Sequence, residues 1–389
     1  MAEVFLAFLK LGLTSFGGPI AHLAYFRLEL VEKRRWLDES QYAQLLALCQ
    51  FLPGPASSKL GFSLGLLRAG WGGALAAFVA FTLPSALLLF AFAAALPYLE
   101  GPVGQAAIHG LKIVALAVVA QGVLGMLRQL CPDLQRRTIA ALVAAAILVS
   151  GEAWMQLVAV ALGAAAGAAL CRDVKPVPGA GLDFRYGRAL GWTLLALFAL
   201  LLAGLPLVAP ASELLAVADA FYRAGALVFG GGHVVLPLLE EAVVKPGWIS
   251  TDEFLAGYGA AQAVPGPMFA LAAYLGARLP GAEGGVVGAA VALVAIFLPG
   301  FLLIAGVLPL WRAVSERPLA ARAIAGVNAA VVGLLGAALY DPVWTSAVRG
   351  PLDLAIALVG FTALVAWRAS ALLVVAWCVV ASVAAAALT

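Results

Sequence analysis

The chain has 389 residues, of which 64% are hydrophobic and only 11% charged, with a formal net charge of +3. Ordinary soluble domains carry roughly 25% charged residues, so this composition excludes a soluble enzyme or a nucleic-acid-binding module and demands lipid against most of the surface. The small positive excess identifies no partner by itself, because membrane proteins collect Lys and Arg on cytoplasmic loops.

The first residues, MAEVFLAFLKLGLTSF, have no basic n-region and no small-residue cleavage site, and are expected to be retained. Phe5 to Tyr25 is an apolar stretch interrupted by Gly17-Gly18-Pro19, and Gln41 to Leu67 a second, interrupted by Pro53-Gly54-Pro55. Glycine and proline there break the helix, and in lipid a break survives only where protein or a water-filled cavity satisfies the freed backbone groups. Both stretches are therefore predicted as broken or hairpin helices. Four ordinary spans follow, including Gly73 to Pro97 and Gln105 to Leu127, each longer than the ~18 apolar residues a crossing needs. Lys175 to Gly187, rich in Pro and Gly, reads as a cytoplasmic linker, and Leu190 to Val208 as an extra span. Leu214 to Leu238 and Phe254 to Leu279 are then broken at Gly230-Gly231-Gly232 and Pro265-Gly266-Pro267, before four more spans that begin with Gly285 to Leu308.

The second series repeats the first at an offset of about 212 residues. FLKLGLTSFGGP (Phe8 to Pro19) matches FYRAGALVFGGG (Phe221 to Gly232), with Lys10 opposite Arg223 and Gly12 opposite Gly225. Trp36 falls opposite Trp248, Gln50 opposite Gln262, and the two Pro-Gly-Pro triplets coincide. TLPS (Thr82 to Ser85) corresponds to FLPG (Phe297 to Gly300). If the hairpins return to the face they entered from, only Lys245, Arg278 and Arg349 of the 23 Lys and Arg fall on the outer side, with Lys10, Lys59, Lys112 and Arg223 inside apolar segments. The extra span then inverts the second unit. The predicted fold is an all-α polytopic membrane protein of two inverted-topology repeats, residues 1–171 and 210–389, joined by a linker and span over 172–209. Each repeat has two broken or hairpin helices followed by four transmembrane helices.

Ionisable groups inside a bilayer are costly and mark function, and the four placed well inside apolar segments are all basic. That argues for an anionic substrate and against a metal cation. A helix that starts after a Gly-Pro break presents free N–H groups and the positive end of its dipole to an anion. After the first triplet come Ala56-Ser57-Ser58-Lys59, two hydroxyls and a cation; the counterpart Met268-Phe269-Ala270-Leu271 is apolar. The anion-binding candidates are therefore Gly17, Gly18, Gln50, Pro53, Gly54, Pro55, Ser57, Ser58 and Lys59, with Gly230, Gly231, Gln262, Pro265, Gly266 and Pro267 supplying mainly backbone. Gln50 and Gln262 suit either an anion or the carbonyls of the broken helix. Lys10, Arg223, His22, His233, Glu29 and Glu241 are candidates for coupling or charge pairing, with Asp219 placed to neutralise Arg223 at the i, i+4 spacing. Lys10 and Lys112 read equally as snorkelling side chains. Gly163 and Gly167 form a GxxxG suited to internal packing or to a homodimer. Cys49, Cys131, Cys171 and Cys378 stand apart from one another and from histidine, so no metal site or cofactor is expected. There is no HExxH motif, and three histidines spread over the chain leave little for a metal or a triad, so no enzyme is expected.

The combination of KLGLTSFGGP (Lys10 to Pro19), RRWLDESQYAQ (Arg34 to Gln44), Gln50 with its Pro-Gly-Pro, and the echoes FGGGHVVLPLLE (Phe229 to Glu240) and QAVPGP (Gln262 to Pro267) resembles the chromate ion transporter family in its long, two-domain form. The resemblance implies a multi-pass protein of the bacterial inner membrane that expels chromate and confers chromate resistance, driven by protons or by anion exchange. Sulfate is the natural look-alike substrate. The echo departs from the family pattern in lacking the proline of the first GGP, and the second Pro-Gly-Pro is followed by no Ser or Lys.

Overall fold

The computed structural model describes residues 1–16, 18–99, 101–150, 153–174, 186–228, 235–281, 284–311 and 317–388, and these contain helices and turns without a strand. α1 (Ala2–Thr14) stops at Ser15, whose backbone is extended. α2 (Gly18–Phe26) runs on into a π-helical turn, Arg27–Lys33. α3 (Glu39–Phe51) starts on a capping box, in which Asp38 accepts from the Gln41 N–H at 2.8 Å and the Gln41 side chain accepts from the Asp38 N–H at 3.1 Å. After the Pro-Gly-Pro loop comes α4 (Ala56–Ala95), then α5 (Pro102–Leu130), α6 (Leu134–Ser150), α7 (Ala153–Leu170) and α8 (Arg188–Val208).

The order then repeats. α9 (Glu213–Leu227) stops at an extended Val228, and α10 (Val235–Leu239) runs into a π-helical turn, Glu240–Val244. α11 (Thr251–Ala263) is capped by Ser250, and the second Pro-Gly-Pro leads through a 3-10 turn, Met268–Ala270, into α12 (Leu271–Ala277). Four helices follow: α13 (Gly285–Val307), α14 (Pro318–Ala338), α15 (Pro351–Val365) and α16 (Ala371–Leu388).

α4 is not one rod. Ala69 and Gly70 leave the helical region, and a Cβ on Gly65 would collide with the Gly73 carbonyl. Residues eight apart in a continuous helix lie about 12 Å from each other, so residues 56–68 fold back as an arm against residues 71–95. Gly276 of α12 meets Gly288 of α13 in the same way across the second break. Counting each long arm, four spans follow the broken segments in both series.

Counted with their end turns, Ala56–Leu99, Pro102–Leu130, Arg188–Ala211, Gly285–Leu310 and Pro318–Ala347 are long and apolar enough to cross a membrane. Shorter apolar helices accompany them, and the chain is an integral multi-pass membrane protein. The two series interlock rather than sit side by side. α5 packs on α15 and α16, while α14 packs on α6 and α7. Small residues make these crossings close: Gly163 and Gly167 lie against Gly326 of α14, and Gly110 of α5 against Cys378 and Val379 of α16. The GxxxG face is thus occupied within the chain. α8 packs on α9 and α13 with its other face bare, as suits a lipid-facing span. Trp71, Trp344 and Trp367 are at least partly exposed, as interfacial anchors would be, and the four cysteines are buried and free.

Candidate functional site

The two Pro-Gly-Pro loops sit where the series cross. Gly54 has φ +102° and Gly266 φ +99°, a region that only glycine enters without strain. Their N–H groups point in reciprocal directions. Gly54 donates to the Val228 carbonyl at 2.6 Å and Gly266 to the Ser15 carbonyl at 2.9 Å, so each loop satisfies the carbonyl of the residue that caps the helix before the glycine break of the other series. Each loop also rests beside the proline of a long helix. A Cβ on Gly54 would stand 2.9 Å from the Gly300 Cα, next to Pro299, and one on Gly266 2.9 Å from the Ser85 Oγ, next to Pro84. Gly300 and Ser85 are counterparts in the repeat, as are Val228 and Ser15.

The side chains around this shared backbone differ. Lys59, in the first turn of α4, is fully buried, and its Nζ donates to the Leu52 carbonyl at 2.5 Å and the Pro53 carbonyl at 2.9 Å. The ammonium thereby closes the C-terminal end of α3, where free carbonyls carry partial negative charge, and keeps a third donor in reserve. Ser57 is buried, its Oγ 3.5 Å from His22 Nδ1, and the buried His22 ring stands edge-on to Phe81 at 5.4 Å. The Ser58, Ser15 and Thr82 hydroxyls are buried with no hydrogen-bond partner among the described residues. In the second series Met268, Phe269, Ala270 and Leu271 are all buried, and Gln262 donates to the Met268 sulfur at 3.2 Å and the Tyr258 carbonyl at 3.4 Å.

Of the predicted site residues, Pro53, Gly54, Pro55, Ser57, Ser58 and Lys59 lie at the first crossing with His22 beside Ser57, and Pro265, Gly266, Pro267 and Gln262 lie at the second. Gln50 does not join them in the same way: its side chain is exposed, whereas Gln262 is buried. Gly18 opens α2; Gly17, Gly230, Gly231 and His233 lie outside the described residues. Lys10 is half exposed and binds the buried Glu29 carboxylate at 2.8 Å, which also takes Arg34 at 2.9 Å and Lys33 at 3.9 Å. The Lys10 hydrogen bond, helped by Arg34 and opposed by partial burial, holds the Glu29 carboxyl below the usual carboxylate range. Arg223 pairs with Asp219 at 2.6 Å and Glu241 with Lys245 at 2.7 Å. No cluster of metal-ligating side chains occurs among the described residues.

Reading by sequence missed a second polar feature. Lys112 of α5, 2% exposed, forms an ion pair at 2.5 Å with Asp252 in the first turn of α11. Its position inside an apolar run was the only signal; a partner so far along the chain leaves none.

The chain matches the chromate transporter family over residues 2–168 and again over 215–384. It is 32% identical to the probable chromate transport protein of Synechococcus elongatus over 335 residues, covering 85% of this chain and 82% of that one. It is 30% identical to the chromate transport protein of Pseudomonas aeruginosa over 373 residues, 94% of this chain and 87% of the other, and 27% identical to that of Cupriavidus metallidurans over 353 residues, 87% and 82%. No solved structure matches. Two family matches that between them take in both Pro-Gly-Pro loops, and relatives that run nearly the length of the chain, establish that this protein belongs to the chromate transporter family in its two-domain form.

Proposed function

We propose that this protein is a secondary transporter that exports chromate across the bacterial inner membrane and so confers chromate resistance, with the crossing of the Pro-Gly-Pro loops as its substrate site. The observation that carries this reading is the buried first-series crossing, where Lys59, the Ser57 and Ser58 hydroxyls and the start of α4 concentrate donors in a bilayer-embedded core. Donors held in low dielectric act far more strongly on a dianion than they would in water. The names of the Pseudomonas aeruginosa and Cupriavidus metallidurans relatives supply the substrate class, since both are described as chromate transport proteins.

The topology we propose is the inverted one, with residues 1–171 and 210–389 as the two units and 172–209 between them. The reciprocal Gly54–Val228 and Gly266–Ser15 bonds are what a pseudo-twofold axis of either orientation produces, and the bias of Lys and Arg to one side is what favours an axis in the membrane plane. Substrate sites of such transporters sit at the repeat interface near the midplane. His22, beside Ser57, is the group we assign to proton coupling.

Sulfate is the alternative substrate, because a tetrahedral dianion of like charge would satisfy the same donors. The test is flux of labelled chromate and sulfate in proteoliposomes, with the pH gradient and the opposite-side anion varied independently. Chromate flux that exceeds sulfate flux and responds to one of the two gradients is the expected result. Flux of sulfate alone would replace the substrate, and flux of neither would end the reading.

A further inference from the structure

Outside the crossing, α5 and α11 enclose a cavity of about 680 Å³ together with α12, α15 and α16. Lys112 lines it from α5; Asp252 and Glu253 line it from α11. The Lys112 side chain is 2% exposed, but the Asp252 carboxylate that neutralises it is 62% exposed. The two partners are unequally free. Asp252 can turn to water at little cost, as exposed carboxylates do, whereas an unpaired Lys112 would be a buried charge with nothing to balance it. Whatever replaces Asp252 must therefore bring negative charge. The neighbouring wall offers a second base, Arg278, bound to Glu253 at 2.5 Å, and Arg349 also borders the space. α11 leads inward from this cavity: Gln262 lies ten residues past Asp252, about 15 Å along the helix, just before the second Pro-Gly-Pro loop.

We propose that this cavity, bordered by the outer-side Arg278 and Arg349, is an oxyanion exit site, in which a tetrahedral dianion displaces the Asp252 carboxylate from Lys112. The proposal rests on the oxyanion reading above and adds a second site to it. Lys112 belongs to the first series and Asp252 to the second, and the His109–Asp353 pair at 2.9 Å crosses the same boundary. Exchanging a carboxylate for a free anion at Lys112 thus loosens one of the polar links that join α5 to the second series, which ties occupancy to movement between the halves.

The test is titration calorimetry of the purified full chain in nanodiscs with chromate and, separately, with sulfate, at constant ionic strength. Removing the competing carboxylate with Asp252→Asn should tighten binding at this site tenfold or more, and Lys112→Met should abolish that gain when combined with it. A correctly inserted Asp252→Asn protein whose affinity for both anions equals wild type overturns the proposal, as does a tightened affinity that survives Lys112→Met. If the double variant does not fold, Asp252→Asn alone decides. Should wild type move no chromate while Asp252→Asn still tightens sulfate binding, the site stands and the substrate reading falls.

Discussion

The first and second Pro-Gly-Pro crossings share a backbone and almost nothing else. Both glycines adopt the same left-handed conformation and donate to the equivalent carbonyl of the other series, and both touch the residue after a helix proline. Around that frame the first crossing carries Ser57, Ser58 and a buried Lys59, and the second carries Phe269, Ala270 and Leu271 at the matching positions. The difference teaches that the repeat conserves a way of breaking and bracing helices in lipid, while the polar chemistry is free to gather on one side. A symmetric two-site transporter would need donors at both.

The largest effects should come from the shared frame. Gly54→Val and Gly266→Val should each abolish transport, since a β-branched residue at positive φ is strained by roughly 1–3 kcal/mol before any clash is counted. Alanine separates the two: at Gly54 it meets the Gly300 backbone, which cannot yield, whereas at Gly266 it meets first the Ser85 hydroxyl, which can rotate. Thermal unfolding in detergent should therefore show Gly54→Ala the more damaging, by about 1 kcal/mol or more. Equal losses would mean that the two crossings are braced alike.

Labelling sharpens the same comparison on topology. Lys33 and Lys245 are exposed counterparts in the turns after α2 and α10. In the inverted arrangement Lys33→Cys should react with an impermeant maleimide only from the cytoplasm and Lys245→Cys only from outside. Reaction of both from one side would refute the inversion.

Smaller effects belong to single groups. Ser58→Ala removes a buried hydroxyl that has no partner among the described residues, so it should leave unfolding temperature nearly unchanged while weakening apparent chromate affinity a few-fold. An unchanged affinity would remove Ser58 from the site. Glu29 gathers Lys10, Lys33 and Arg34, whereas its counterpart Glu241 has an ion pair with Lys245. Because the folded carboxyl of Glu29 titrates below its unfolded value, its contribution is present above about pH 4.5 and is lost as pH falls through the folded value. Glu29→Gln should cost roughly 1 kcal/mol at pH 7 and progressively less below pH 4.5, measured by thermal unfolding across that range. A cost that does not vary with pH would assign Glu29 a packing role instead.

Much of this was legible in the sequence, for physical reasons. Glycine and proline in apolar runs announce breaks, and α1, α3, α9 and α11 end at or next to the predicted ones. The pairing of Arg223 with Asp219 follows from helical spacing alone. What escaped were contacts between distant segments. Nothing local says that Gly54 bonds Val228 rather than its own series, or that Lys112 meets Asp252. The Gln50 and Gln262 side chains look equivalent in an alignment yet differ in burial, because burial is set by the neighbouring helices and not by the motif. The fold-back of α4 at Gly70 was legible, since the second hairpin is predicted to end at Leu67 and the next span to begin at Gly73, with glycines between them.

The central claim is that the first crossing holds the anion and the second does not, and it is tested most directly by chromate flux against concentration in proteoliposomes bearing Lys59→Met, Lys59→Arg or Leu271→Met. Lys59→Met should raise the apparent KM for chromate at least tenfold, Lys59→Arg should retain part of the function, and the volume-conserving Leu271→Met should stay near wild type. A folded, inserted Lys59→Met protein that moves chromate with the wild-type KM would contradict the account.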